Sequence, residues 1–171
     1  PKGVREIPYW QLVSGHHSSN YDQTLEKTRQ LLFDSIKRQS TSDLPLCAFL
    51  SGGLDSSIVS AVCAKELQAK GEVLRTFSFD FTDNNRFFLS NSFQPSQDRP
   101  FVEQMVKYLK TEHTFLECDS EKLAKCLELS VDAHDLPCMA DIDSSLLYFC
   151  SKVSSFSTVA LTGECADEIF G

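Results

Sequence analysis

The pattern of apolar positions changes its period several times along the chain. Spacings of seven and four residues, typical of one face of a helix, predict a first helix over residues 22–39, capped by Ser19 or Asn20. A continuous apolar run at residues 46–50 follows and predicts a strand that is covered on both faces. Residues 1–20 show no period, and we interpret them as an extended arm that leads into the domain.

The alternation of helical and strand patterns continues to the end of the chain. After residue 57 we predict a helix that ends near Gly71, a strand at 73–81 and a long irregular stretch at 82–97. The next elements are a helix marked by Val102, Met105, Val106 and Leu109, a strand at 113–117 and a helix capped by Ser120. A loop at 134–143, a helix marked by Leu146, Phe149, Cys150 and Val153, and a strand at 158–161 complete the order. Strands that alternate with helices predict an α/β fold, with a parallel sheet and helices on both faces.

Composition places the chain among ordinary globular domains. Its 171 residues are 42% hydrophobic and carry a formal net charge of −8, which disfavours nonspecific binding to a phosphate backbone. Its apolar runs are far shorter than the roughly 20 residues of a membrane-spanning helix, and we see no secretory leader. Because the chain begins with Pro1 and not Met, we expect it to be a piece of a longer protein.

The cysteines predict packing more than chemistry. There are seven of them, no two form a C-x-x-C pair, and most lie in apolar runs. We expect small buried side chains in a reducing cytoplasm, and metal ligation by cysteine is the alternative.

A glycine-bearing turn directly follows the strand predicted at residues 46–50. Gly52 and Gly53 allow the backbone to approach a ligand without a Cβ clash, and the amides of the turn and of the helix start then point towards one place. We therefore predict an anion site at this turn, with added hydroxyl donors from Ser51, Ser56 and Ser57. A simple Gly-Gly turn with a capping side chain is the alternative.

Asp55 is the unexpected member of this turn. A carboxylate beside a phosphate site is repulsive unless a cation lies between them, so Asp55 indicates Mg²⁺. A second acidic segment, with Glu164, Asp167 and Glu168, follows the last predicted strand. Asp167 is the predicted second metal ligand, although acidic residues at a helix start are also favoured by the helix dipole alone.

These two segments resemble one known family. Residues 50–57 resemble the pyrophosphate-binding (PP-) loop of the N-type ATP pyrophosphatases. Together with residues 162–171, they resemble the synthetase domain of glutamine-hydrolysing asparagine synthetases, and residues 94–98 and 135–141 resemble one bacterial branch of that family. The resemblance implies an adenine-nucleotide alpha-hydrolase-like fold, with residues 21–171 forming the N-terminal part of an incomplete ATP-pyrophosphatase domain.

The resemblance also implies a reaction. ATP and aspartate would form a β-aspartyl-adenylate and pyrophosphate, and ammonia would then displace AMP to give asparagine. The implied cofactors are ATP and Mg²⁺, and a glutaminase domain elsewhere in the full-length chain would supply ammonia. A homodimer is left open. The fragment alone is expected to be inactive.

Roles for single residues follow from the same resemblance. Leu50, Phe79, Thr162 and Gly163 match positions that contact the adenosine part, and Glu164 matches an acid linked to acyl-adenylate formation. The PP-loop positions match Ser51, Gly52, Gly53, Leu54, Asp55, Ser56 and Ser57, and the metal ligands match Asp55 and Asp167.

Other functions remain open at this point. A tRNA-modifying ATP pyrophosphatase would use the same first loop but should bring a basic groove, and a β-lactam synthetase-like enzyme would adenylate a different carboxylate. A nucleotide-binding module without catalysis is disfavoured by the two acidic metal ligands. The chain departs from the family in having Thr162 where Ser is more frequent, Cys165 where Gly is frequent, and no Arg in residues 139–143, where aspartate-binding details differ.

Overall fold

The computed structural model describes residues 3–92, 95–137 and 139–170, and for Asp141 the backbone only. Predictions that involve Pro1, Gln94, Cys138, Gly171 and the Asp141 side chain therefore lie outside the described residues. The elements are α1 (Tyr21–Gln39), β1 (Leu46–Phe49), α2 (Leu54–Gln68), β2 (Arg75–Phe81), α3 (Asn84–Phe87), α4 (Arg99–Leu109), β3 (Glu112–Cys118), α5 (Ser120–His134), α6 (Ala140–Val153), β4 (Val159–Leu161) and α7 (Asp167–Phe170).

The four strands form one parallel sheet in the order β3-β2-β1-β4. The chain moves outward from β1 through β2 to β3 and then crosses back to β4 on the other side of β1. The strand order thus reverses between β1 and β4, and in sheets of this kind ligands bind outside the carboxyl ends of the strands at such a point.

Helices cover both faces of the sheet, as the alternation predicted. On one face, Ala48 packs in a core cluster with residues of α1, α2 and α4, including Ile36, Val62 and Leu109. On the other face, Cys47 and Phe77 pack against Phe149 and Val153 of α6. Neighbouring residues of one strand enter opposite cores because successive side chains point to opposite faces.

Local capping explains where two helices begin. Asn20 and Gln23 form a reciprocal capping box at the start of α1, which confirms one of the two predicted caps. The prediction for α5 was wrong by one residue, since Asp119 is its N-cap and accepts from the Lys122 amide at 2.8 Å. A carboxylate at this position accepts a hydrogen bond from an amide that has no partner within the helix, and its charge also complements the helix dipole.

Three further predictions need correction. The irregular stretch contains the short helix α3, and α6 begins at Ala140, inside the predicted loop. Cys150 is exposed although it follows the buried Phe149, because Phe149 and Val153 already form the face of α6 that packs on the sheet. Of the described cysteines, Cys47, Cys63 and Cys118 are buried, and Cys165 is exposed like Cys150.

Residues 3–18 have no helix or strand, and their side chains are exposed. The boundary between arm and domain remains a prediction. No helix in the described ranges is both long and apolar enough to cross a membrane.

Candidate functional site

The first loop, residues 50–57, comprises the connection from β1 and the first turn of α2, and it is held by its own serines. Ser51 Oγ and Ser56 Oγ lie 2.9 Å apart, and Ser56 Oγ also accepts from the Ser51 amide at 3.2 Å. Ser57 Oγ donates to the Gly53 carbonyl at 2.6 Å. These bonds close the turn locally, so the shape of the loop follows largely from its own residues.

The start of α2 exposes backbone donors. Gly53 is the N-cap and brings no side-chain cap, and the first intrahelical bond runs from the Ser57 amide to the Gly53 carbonyl at 3.1 Å. The amides of Leu54, Asp55 and Ser56 precede that bond and have no acceptor within the helix. With the helix dipole, they provide the donors that an anion requires.

Gly52 is required by both conformation and space. Its φ is +83°, a region that L-residues rarely adopt. A Cβ at this position would lie 2.8 Å from Phe101 Cβ and 3.1 Å from the Asp98 carbonyl oxygen. The first loop therefore packs directly against the N-terminus of α4, which sequence reasoning did not connect with the site.

The second loop, residues 162–166, follows β4 and meets the first loop. A Cβ on Gly163 would lie 2.6 Å from the Ser56 amide nitrogen and 2.9 Å from Asp55 Cβ. The register explains the contact, because Ala48 of β1 pairs with Leu161 of β4 and both loops leave the sheet at the same level. Two segments that lie more than 100 residues apart in the sequence thus form one site.

An aromatic cleft opens beside this junction. It has a volume of about 280 Å³ and is lined by Leu50 and Ser51 of the first loop, Glu164 of the second loop, and Phe79 of β2. The Phe79 ring packs edge-on against Phe149, with ring centroids 5.2 Å apart. Such a cleft, mostly apolar with a few polar groups at its edge, is typical of small-molecule sites.

A second groove lies on the other side of the junction, between α1, the start of α2 and the second loop. Its volume is about 410 Å³, and Leu54, Asp55, Thr162, Gly163 and Glu164 line it. Glu164 therefore borders both the cleft and the groove.

The two predicted metal ligands differ in their surroundings. Asp55 is half-buried and lines the groove, whereas Asp167 is exposed at the start of the four-residue helix α7. Within the described ranges, no three His, Cys, Asp or Glu side chains cluster as a metal site would need. Asp55 and Glu164 nevertheless place carboxylate oxygens beside the free amides of α2, and oxygen donors suit Mg²⁺.

Several residues at the cleft were missed by sequence reasoning. Partial burial raises the pKa of the Asp98 carboxyl, and the neighbouring Asp80 carboxylate raises it further. Arg99 lies over the Phe115 ring at 4.3 Å and pairs with Glu117 at 3.3 Å. Proline within the first turn of α4 is the sequence signal that could have located this helix start.

His113 of β3 lies behind this wall of the cleft, with its ring centroid 4.4 Å from that of Phe115. Burial, together with the positive charge of Arg99, lowers the pKa of His113 to about 4. The imidazole is therefore neutral at neutral pH. Its ring nitrogens contact Thr76 Oγ1 at 2.9 Å and Ser78 Oγ at 3.0 Å.

Fold and site together define a doubly wound α/β domain whose candidate ligand site lies at the reversal of strand order, where two glycine-bearing loops meet. Comparison with known proteins specifies the family. The model of the asparagine synthase family matches residues 27–171, so the chain belongs to that family.

Individual relatives agree with this assignment. The chain is 43% identical over 170 residues to asparagine synthetase (glutamine-hydrolyzing) 3 of Bacillus subtilis, which covers 99% of this chain and 28% of that protein. It is 32% identical over 172 residues to putative asparagine synthetase (glutamine-hydrolyzing) 2 of Methanocaldococcus jannaschii, which covers 98% of this chain and 30% of that protein. The chain thus spans less than a third of these relatives.

Among solved structures, NAD+ synthetase from Burkholderia pseudomallei has a TM-score of 0.39 at 12% identity, over 84% of this chain and 69% of that chain. This structural similarity is too weak to indicate a shared function.

Proposed function

We propose that this chain is the N-terminal part of a synthetase domain that converts aspartate to asparagine. In the proposed reaction, the aspartate side-chain carboxylate attacks the α-phosphorus of ATP and forms a β-aspartyl-adenylate with release of pyrophosphate. Ammonia then attacks the activated carbonyl and displaces AMP. Membership of the asparagine synthase family supports this reaction.

The observation that carries the proposal is the contact of Gly163 with Asp55 and Ser56. It joins a loop suited to phosphate with a loop that carries Glu164. A nucleotide and an acid-bearing segment would then meet at one place, as adenylation of a carboxylate requires.

The first loop would hold the pyrophosphate part of ATP. The amides of Leu54, Asp55 and Ser56 would donate to its oxygens, and charge that develops on the leaving pyrophosphate would be stabilised by these fixed donors. Rigid closure of the loop by Ser51 and Ser56 keeps the donors in place before the nucleotide arrives.

The adenosine part would occupy the aromatic cleft. Leu50 is buried at its floor and Phe79 forms one wall. Thr162 and Gly163 line the adjoining groove, so an adenosine that contacts all four residues would cross the junction of the two loops.

Magnesium would be held by Asp55 and Asp167 together with phosphate oxygens. When bound, it supplies charge neutralisation of the phosphates. For Asp55 the support is its place in the first turn of α2, where it lines the groove. For Asp167 the support is its place in the same segment as Glu164.

Glu164 would act in formation of the acyl-adenylate. Its position between the cleft and the groove supports this role, since the nucleotide and the carboxylate must meet there. Ammonia would come from a glutaminase domain in the full-length protein, in keeping with relatives that are named glutamine-hydrolyzing.

The decisive experiment uses the protein in its full natural length. Mg·ATP and ammonia are supplied with or without aspartate, and pyrophosphate and asparagine are assayed together. The proposal predicts aspartate-dependent release of both in equal amounts. Pyrophosphate release with another carboxylic acid or with tRNA, but not with aspartate, would contradict the proposal. The nucleotide site would then belong to another reaction of the PP-loop ATP pyrophosphatases.

A further inference from the structure

A chain of hydrogen-bonded polar side chains, partly to fully buried, runs from Thr111, between α4 and β3, across β2 and β3 to the aromatic cleft. Thr76 Oγ1 donates to Thr111 Oγ1 at 2.9 Å and also contacts His113 Nδ1 at 2.9 Å. The other ring nitrogen, Nε2, lies 3.0 Å from Ser78 Oγ. Ser78 in turn lines the cleft and is 8% exposed.

The direction of each bond in this chain follows from counting hydrogens. A hydroxyl has one hydrogen, and that of Thr76 is used towards Thr111. Thr76 Oγ1 must therefore accept from His113 Nδ1, which carries the proton. Because a neutral imidazole has a single N–H, Nε2 is an acceptor, and the Ser78 hydroxyl donates to it.

The surroundings keep the imidazole in this neutral form. Burial of the ring disfavours its charged form, and the positive charge of Arg99 also opposes a second proton, so the pKa of His113 falls to about 4. Arg99 itself pairs with Glu117 at 3.3 Å, and Glu112, the neighbour of His113 in sequence, pairs with Arg75 at 3.1 Å.

Ser78 is consequently left with acceptor capacity alone. Its only hydrogen is directed at His113, so its oxygen can take a hydrogen bond from a ligand but cannot give one. Had the imidazole the other tautomer, Ser78 would be free to donate, and its preference would be reversed.

We propose that His113 is a positioning residue that makes Ser78 an obligate hydrogen-bond acceptor in the cleft, so that Ser78 selects a donor group on the bound nucleotide. The inference rests on the proposed nucleotide site. A nucleotide offers such a donor at two places, the exocyclic amine of adenine and the ribose hydroxyls. Guanine presents a carbonyl where adenine has its amine and would be disfavoured if the amine is the group selected.

Binding titrations with the full-length protein test the proposal without requiring turnover. Ser78→Ala is expected to weaken binding of Mg·ATP about tenfold, the equivalent of one hydrogen bond. The probes are ATP, purine riboside triphosphate, which lacks the 6-amino group, and 2′-deoxy-ATP and 3′-deoxy-ATP. The effect of the substitution should vanish for the analogue that lacks the selected donor, which identifies its source.

Two further variants examine the role of His113. His113→Leu removes the acceptor for the Ser78 hydrogen and should reproduce the analogue pattern of Ser78→Ala, whereas His113→Gln, whose amide oxygen can accept, should restore part of the discrimination. Ser130→Ala is the matched control, because Ser130 is a buried serine on α5 that donates to the Leu127 carbonyl at 2.8 Å.

The outcomes separate the inference from the proposed function. Unchanged ATP affinity in Ser78→Ala, or an equal loss for all four nucleotides, overturns the inference even if the protein makes asparagine. Nitrogen-15 spectra of the His113 ring give an independent check, since the inference requires the tautomer with the proton on Nδ1. A proton on Nε2 would refute it whether or not the variants fold.

Discussion

The two loops that form the candidate site are stabilised in different ways. The first loop closes on itself, since Ser51, Ser56 and Ser57 bond within residues 50–57. In the second loop, the Glu164 amide and Thr162 Oγ1 form a long bond of 3.4 Å. Its closest approach is to the other loop, at Gly163.

The two loops thus differ in whether their conformation is fixed by local hydrogen bonds or by tertiary contacts. The first loop has a shape that its own side chains largely impose, so under the proposed function its amide donors would be in place before the nucleotide binds. The second loop acquires its position from the sheet register and from the backbone of α2. We therefore expect substitutions in the first loop to affect nucleotide binding, and substitutions in the second loop to affect chemistry or docking.

Asp55→Ala should have the largest effect. Removal of the carboxylate beside the amides of α2 should abolish Mg²⁺-dependent ATP turnover in the full-length protein, with a loss of about 10³-fold or more. Pyrophosphate release at increasing Mg²⁺ concentration measures it. Asp132→Ala on the exposed face of α5 is the control, and wild-type turnover in Asp55→Ala would remove Asp55 from the metal site.

Glu164→Ala should separate the two loops functionally. We expect nucleotide affinity to change by less than about twofold, while aspartate-dependent pyrophosphate release falls about 10²-fold or more, as for loss of a group acting in the chemical step. Titration with Mg·ATP and the release assay measure the two quantities. Glu168→Ala, exposed on α7, serves as control. If Glu164→Ala lost affinity and rate in parallel, the first loop would not act in nucleotide binding separately from a role of the second loop in chemistry.

Gly163→Ala should disturb the docking of the loops. A methyl group 2.6 Å from the Ser56 amide nitrogen forces the backbone apart, and overpacking of this kind costs about 1–3 kcal/mol in the free energy of unfolding. Chemical denaturation measures the change. Gly53→Ala is the comparison, because its φ is −69° and its nearest neighbour is at 3.4 Å; equal losses for the two variants would show that Gly163 is not a docking contact.

The smallest expected effect is on pH dependence, through the wall behind the cleft. His113 titrates near 4 in the folded protein against 6.5 for a free side chain, so the unfolded chain binds more protons between these values. The stability it contributes is complete above about pH 6.5 and is lost as the pH falls towards 4. Melting temperatures from pH 7 to 4.5 should fall less steeply in His113→Gln than in wild type, and parallel curves would count against a depressed pKa.

Particular elements show how far the sequence carries. The strands and most helices could be predicted because their apolar periods are clear, as for α1 with its capping residue Asn20. The predicted start of α5 was wrong because two neighbouring residues, Asp119 and Ser120, can both cap a helix. The predicted burial of Cys150 was wrong because only one face of α6 packs on the sheet. Both glycine-bearing segments were predicted to be functional from the sequence, and the structure brings them into contact; their function and the role of each residue stay predictions.

Sequence alone determined the alternation of strands and helices and the residue types that the two loops carry, because periodicity and residue type are local properties. Only the tertiary structure decided that the loops touch, since parallel register between β1 and β4 brings Gly163 onto Asp55 and Ser56. It also decided that α4 closes on Gly52 and that His113 reaches Ser78 beneath it. Those contacts join residues from separate strands and helices, and no local pattern encodes the distance between them.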